Sequence, residues 1–130
     1  MALHPDIIHF VENNSLIGLK AGNERPDFLE IWMVVVKGRV FARSWAMSER
    51  SWYTTFLKNK EGFIKCGDWV SAINGIVPLD LPELGEEINK AYIKKYDFGA
   101  NSVYVQEIIE KNRMDKTMEF VPAGGAFTNL

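Results

Sequence analysis

Apolar and polar positions alternate most tellingly between Ile31 and Trp45. Six apolar residues, Ile31 to Val36, run into Lys37-Gly38, and the return arm then alternates through Val40, Phe41, Ala42, Arg43, Ser44 and Trp45. β-branched and aromatic residues on both sides of a short glycine-containing turn predict a β-hairpin. The first arm is apolar on both faces, which predicts a central strand covered on both sides. On the return arm Val40, Ala42 and Ser44 share one face, and Phe41, Arg43 and Trp45 share the other.

The same reading extends along the chain. Pro5 to Asn13 has the spacing of a short amphipathic helix opened by proline. Leu16 to Lys20 reads as a strand, and Ala21 to Asp27 as a polar loop punctuated by Gly22 and Pro26. Trp52, Tyr53, Phe56 and Leu57 lie on one helical face, with Ser48 or Ser51 as the N-cap. Phe63 to Gly67 predicts a short strand, and Asp68 to Leu79 another, in which Asn74-Gly75 marks either a tight turn or a bulge. Asp80-x-x-Glu83 with Pro82 has the form of a capping box. The helix behind it carries Leu84, Ile88, Ala91, Tyr92 and Tyr96 on one stripe and ends before Gly99. A further helix starts at Asn101 or Ser102, Thr117 to Val121 alternates as a last strand, and residues 123–130 read as a loose tail. The expectation is one domain over residues 1–122.

Composition narrows the function classes. At 130 residues with 47% hydrophobic content, the chain has material for one real core. A net charge of -2 provides no basic field for nucleic acid. The one cysteine, Cys66, excludes an intramolecular disulfide, and there is no C-x-x-C pattern. No signal-peptide pattern and no membrane-length apolar run is present, so a cytoplasmic location is expected. His4 and His9 lack the spacing of a metal pair, and no metal site is expected. No G-x-S-x-G, P-loop or H-E-x-x-H occurs.

The chemistry expected from the residues centres on Arg43 and Ser44. A guanidinium and a hydroxyl leave the hairpin just before a helix start, and helix N-termini with a nearby arginine accept phosphate or carboxylate. The plain alternative is an Arg43–Glu49 surface pair, with Ser44 bonding backbone. Trp32, Trp45, Trp52 and Trp69 would suit a planar ring pocket, but aromatic residues at such spacings more often form core. Lys65 is either a second cation for a phosphate or a solvated lysine. Cys66 is either reactive or a small buried hydrophobe.

The strand Ile31-Trp32-Met33-Val34-Val35, the Phe41-Ala42-Arg43-Ser44-Trp45 arm, Ser51-Trp52-Tyr53, the Gly62-Phe63-Ile64-Lys65 strand, Ala91-Tyr92-Ile93-Lys94-Lys95-Tyr96 and Val121-Pro122 together resemble a bacterial family of small uncharacterised proteins. That family in turn resembles the flavin-binding split-barrel proteins, especially the deazaflavin-dependent nitroreductase-like group. The resemblance implies a mainly β (α+β) fold, a six-stranded antiparallel split barrel with peripheral helices, assembled as a homodimer. It also implies FMN or deazaflavin held by Arg43, Ser44, Trp32, Trp52, Tyr53 and Lys65, and an oxidoreductase activity. The G-R-x-S-G stretch common in that group is replaced here by Gly22-Asn23-Glu24-Arg25-Pro26. This departure favours the alternative, a cofactor-free module on the same barrel that binds a small molecule or a partner.

Overall fold

The computed structural model describes residues 2–22, 26–45 and 51–123. Among the described residues the fold is α+β: a seven-stranded, wholly antiparallel sheet curled into a half-barrel, with five α-helices. The strands are β1 (Ile17–Ala21), β2 (Leu29–Ile31), β3 (Val34–Val36), β4 (Arg39–Arg43), β5 (Glu61–Cys66), β6 (Trp69–Ile76) and β7 (Thr117–Pro122). Their spatial order is β2-β1-β5-β6-β7-β4-β3. The helices are α1 (Pro5–Asn13), α2 (Trp52–Asn59), α3 (Leu81–Tyr96), α4 (Ser102–Ile108) and α5 (Lys111–Met114).

The curl follows from connectivity. β2 and β3 are the two edges of the sheet, yet only Trp32 and Met33 separate them in sequence. Three Cα–Cα steps from Ile31 to Val34 reach at most about 11 Å, so the two edges must approach each other. The apolar run that reads as one strand therefore breaks at Trp32-Met33. It pairs with β1 before the break and leads into β4 after it. This corrects the expected count from six strands to seven, and the first hairpin arm is an edge strand instead of a central one. Its two-sided apolarity has a different cause. Ile31, Met33 and Val35 join one core, while Trp32, Val34 and Val36 join a second.

The first core fills the curl. Leu3, Ile7 and Val11 from the α1 end and Trp52, Tyr53 and Phe56 from α2 pack on Ile17, Leu19, Ile64, Ile73, Met118 and Phe120. The second core lies behind β3 and β4, where Val34, Val36 and Phe41 meet Leu84, Ile88, Tyr92 and Tyr96 of α3 and Val105 and Ile108 of α4. Alternation along β4 is as the sequence implies, with Val40 and Ala42 in the first core and Phe41 in the second. The hairpin turn is also as expected. Lys37 (φ 54°) and Gly38 (φ 73°) both take positive φ, the geometry of a two-residue primed turn.

Other local expectations need correction. β6 runs unbroken through Asn74-Gly75, which pair with Val121 and Phe120, so these residues form neither a turn nor a bulge. Asp80 is the N-cap residue of α3, but its side chain makes no capping bond there. It is drawn away to Arg39. Ser51 caps α2 by accepting from the Thr54 N–H at 3.2 Å. The alternative cap Ser48, the pairing partner Glu49, Asn23 to Arg25 of the loop, and tail residues 124–130 lie outside the described residues.

Arg39 ties the sheet to the start of α3. Its guanidinium donates to both oxygens of Asp80, at 2.8 and 2.9 Å, and to both oxygens of Glu119, at 3.0 and 2.9 Å. A planar fork matched to two carboxylates is the strong form of the arginine pair. The bond from Arg39 holds the Asp80 carboxyl below its ordinary range. Because the folded value is depressed, its contribution is complete above the unfolded carboxylate pKa and is lost as pH falls through the folded one. Melting temperature measured through pH 5 to 2, a window set by the ordinary carboxylate pKa of about 3.9, should fall less steeply for Asp80→Asn than for the unmodified chain. Equal slopes would refute this role.

Candidate functional site

The six residues expected to hold a cofactor separate into three places. Arg43 is at the end of β4, on its α3-facing side, and only 2% exposed. Its Nε donates to Thr117 Oγ1 at 3.0 Å, Nη1 to Asn89 Oδ1 and to the Ile108 carbonyl at 3.1 Å, and Nη2 to the Gly85 carbonyl at 3.1 Å. Its backbone N–H donates to the Tyr92 hydroxyl at 2.9 Å. All these partners are neutral, and desolvation lowers the Arg43 pKa from its usual value. Trp32 lies on the same side of the hairpin, stacked on Tyr96 at 4.2 Å between centroids and 8° between planes.

Ser44 and Tyr53 meet at a second place, the turn before β7. The Ser44 N–H donates to the Lys116 carbonyl at 3.3 Å, the Tyr53 hydroxyl donates to the Asp115 carbonyl at 3.4 Å, and the Lys116 ammonium lies 5.4 Å from the Tyr53 ring centre. Burial, with Asp115 nearby, raises the Tyr53 pKa above its ordinary value. The start of α2 belongs to the first core, whereas the Arg43 side chain is bonded to α3, α4 and β7. The expected convergence of Arg43, Ser44 and the α2 start on one anion is not formed. One residue of alternation on β4 is the reason: Arg43 and Ser44 point to opposite faces.

Trp52 and Lys65 border the third place, a groove over β1. One cavity of about 710 Å³ is lined by Phe10, Gly18, Phe28, Glu30 and Lys65 among others. A second, of about 300 Å³, is lined by Lys20, Leu29 and Trp52 among others. The two share Pro26, Asp27 and Phe28 as lining residues, so they border one another. Lys20 and Lys65 place their ammonium groups 4.8 and 5.7 Å from the centre of the Phe28 ring. Neither lysine is in an ion pair among the described residues. The floor is close-packed at Gly18, where a Cβ would meet Lys65 Cβ at 2.9 Å and Phe28 Cβ at 3.4 Å, so only glycine fits beneath these two side chains. The groove holds two cations about the Phe28 ring and two carboxylates, Asp27 and Glu30, with the mostly buried Trp52 at one end, so the lysine side is the part suited to a negative group on a planar ligand.

Sequence reading missed Lys20 and Phe28 as site residues. Their signal is register: Lys20 pairs with Phe63 and Gly18 with Lys65, which puts both lysines on the same outward face of β1 and β5. That pairing is invisible without strand order. Cys66 is buried and its thiol is pushed up to about 11 by desolvation, the condition of an unreactive core cysteine. His4 caps α1, its Nδ1 accepting from the Asp6 N–H at 3.0 Å. No cluster of three or more His, Cys, Asp or Glu able to hold a metal occurs among the described residues. No helix among them is long and apolar enough to cross a membrane.

Residues 17–120 match the family model described as "Uncharacterized protein conserved in bacteria (DUF2255)". The chain belongs to this family. The DUF2255 match begins with β1 and reaches into β7, so it takes in six whole strands, most of the seventh, and the groove residues Lys20, Phe28, Trp52 and Lys65. Among solved structures the chain is similar to the conserved hypothetical protein Rv2991 from Mycobacterium tuberculosis, with a TM-score of 0.56 and 12% identity. That alignment covers 92% of this chain and 79% of the other. At such low identity the likeness is one of fold. No curated protein matches the sequence.

Proposed function

We propose that this DUF2255 protein is a small-molecule-binding barrel whose groove over β1 takes a planar, anionic cofactor of the FMN or deazaflavin type. The observation that carries the reading is the pair of ammonium groups, Lys20 and Lys65, arranged about Phe28 beside Trp52. The phosphate grip expected of Arg43, from the residues and from the resemblance alike, is not part of this reading, because that guanidinium is bonded inside the fold. The groove residues do fit. Lys20 and Lys65 would hold the negative end, and Phe28 and Trp52 the ring.

Such a group supplies hydride chemistry when bound, which is the basis for an oxidoreductase role; the chain binds and orients it. In this reading the seven-stranded half-barrel plays the part of the split barrel that the resemblance implies. A homodimer is part of the same proposal. Val70 (45% exposed) pairs with Lys65, and Ala72 with Phe63, so a partly apolar outward face adjoins the groove. Burying that face in a second copy would remove it from water.

Fluorescence titration with FMN and with a deazaflavin should show saturable quenching. The Lys20→Glu, Lys65→Glu double variant should weaken binding about tenfold, as one half-buried and one exposed charge each contributing under about 1 kcal/mol imply. Saturable binding that ignores both lysines would move the site elsewhere. Absence of binding to either cofactor by the folded protein would leave the cofactor-free module as the better reading, favoured by the missing G-R-x-S-G stretch.

A further inference from the structure

Away from the groove, α1, β3 and α3 border an open cleft of about 470 Å³ lined by Glu12, Val34, Val35, Ala91, Lys94 and Lys95. The Lys95 ammonium is held inward, donating to the Val11 carbonyl at 2.5 Å and to the Met33 carbonyl at 2.6 Å. It lies 4.8 Å from the centre of the Tyr96 ring and is in no ion pair among the described residues. Two carbonyls occupy two N–H groups. A neutral amine keeps both of those bonds and retains one free lone pair for attack, while an imine nitrogen has no N–H and gives both bonds up.

We propose that Lys95 is the imine-forming residue of a site for a small carbonyl compound bearing a carboxylate. The Lys95 nitrogen adds to the carbonyl carbon, whose oxygen takes up a proton to give a carbinolamine. Loss of that oxygen as water and of a proton from nitrogen leaves the C=N bond, with no change of oxidation state. Glu12, on the same cleft wall, is placed to exchange the protons of the dehydration. Lys94 supplies a cation for the ligand carboxylate, and Val34, Val35 and Ala91 an apolar bed for its chain. Burial pulls the Lys95 pKa down to about 8, with Glu12 opposing. Roughly a tenth of it is then neutral at pH 7, against far less than 1% of an ordinary lysine.

The test is reductive trapping of the full chain with glyoxylate and cyanoborohydride at pH 7, read as the modification rate of each of the ten lysines by peptide mass spectrometry. Lys95 should react at least about tenfold faster than exposed lysines such as Lys37, and this advantage should shrink toward pH 10 as ordinary lysines lose their protons. Glu12→Gln, on the exposed end of α1, leaves more of Lys95 neutral, so a several-fold fall in Lys95 trapping with an unchanged far-ultraviolet spectrum is the expected mark of the lost proton exchange. Acetaldehyde, lacking the carboxylate, should lose most of the preference for Lys95. A Lys95 rate no greater than that of Lys94 or Lys37 overturns the proposal.

Discussion

Replacing Arg43 with methionine should destabilise the protein by at least about 1–3 kcal/mol, read as a lowered urea midpoint at unchanged slope. The side chain volume is nearly kept, so the loss is one of hydrogen bonding. Ile108 ends α4, and its carbonyl is one that the helix itself leaves without a partner. Thr117 Oγ1 accepts from Arg43 while donating to the Met114 carbonyl at 2.7 Å, so the guanidinium also holds α5 against β7. Removing it leaves the Ile108 carbonyl and Asn89 Oδ1 without this donor, each worth about 1–3 kcal/mol and not additive, while the Gly85 carbonyl inside α3 and Thr117 Oγ1 keep other bonds. Arg43→Lys keeps the charge but not the fork. It reaches one or two of the four acceptors and should recover less than half of the loss. A methionine variant within about 1 kcal/mol of the unmodified chain would show that these acceptors find other partners.

Arg43 also shows what a sequence tells and what it withholds. Period-two alternation puts Arg43 beside Phe41 and away from Ser44, and that much was legible on β4. What covers each face was not. α3 and α4 begin some forty and sixty residues later, and only tertiary packing brings Gly85, Asn89 and Ile108 to the guanidinium. The elements themselves read well wherever hydrophobic spacing was strong: α1, the Lys37-Gly38 hairpin, α3 and β7. Capping at Asp80 failed because a bidentate arginine outcompetes a backbone N–H for the carboxylate. The four-residue α5 was missed because it has no buried residue to create a pattern. The groove was half legible. Lys65 and Trp52 stood out by type, while Lys20 and Phe28 become partners only through the β1–β5 register.

The second large effect lies in the first core, at the two glycines against Phe56. The Phe56 ring is fully buried and lies against Gly62 of β5 and Gly75 of β6. A Cβ on Gly75 would come 2.7 Å from the Phe56 ring and 3.2 Å from Met118 Sδ. A Cβ on Gly62 would meet the same ring at 2.6 Å and would also run into the Lys20 carbonyl. Each alanine therefore overpacks the core, and each should destabilise by at least about 1–3 kcal/mol, Gly62→Ala more than Gly75→Ala. Shrinking the ring separates the two. Phe56→Ala alone leaves a cavity worth about 3–5 kcal/mol. Combined with Gly75→Ala it should fall well short of the sum, because the added methyl occupies vacated space. Combined with Gly62→Ala little should be recovered, since the Lys20 carbonyl is main chain in the β1–β5 ladder and cannot withdraw without breaking the pairing of Lys20 with Phe63. Urea denaturation of the five variants gives both coupling energies. Equal couplings at the two glycines would mean that the β1 backbone yields as readily as a side chain, and that the groove floor it forms is softer than its geometry implies.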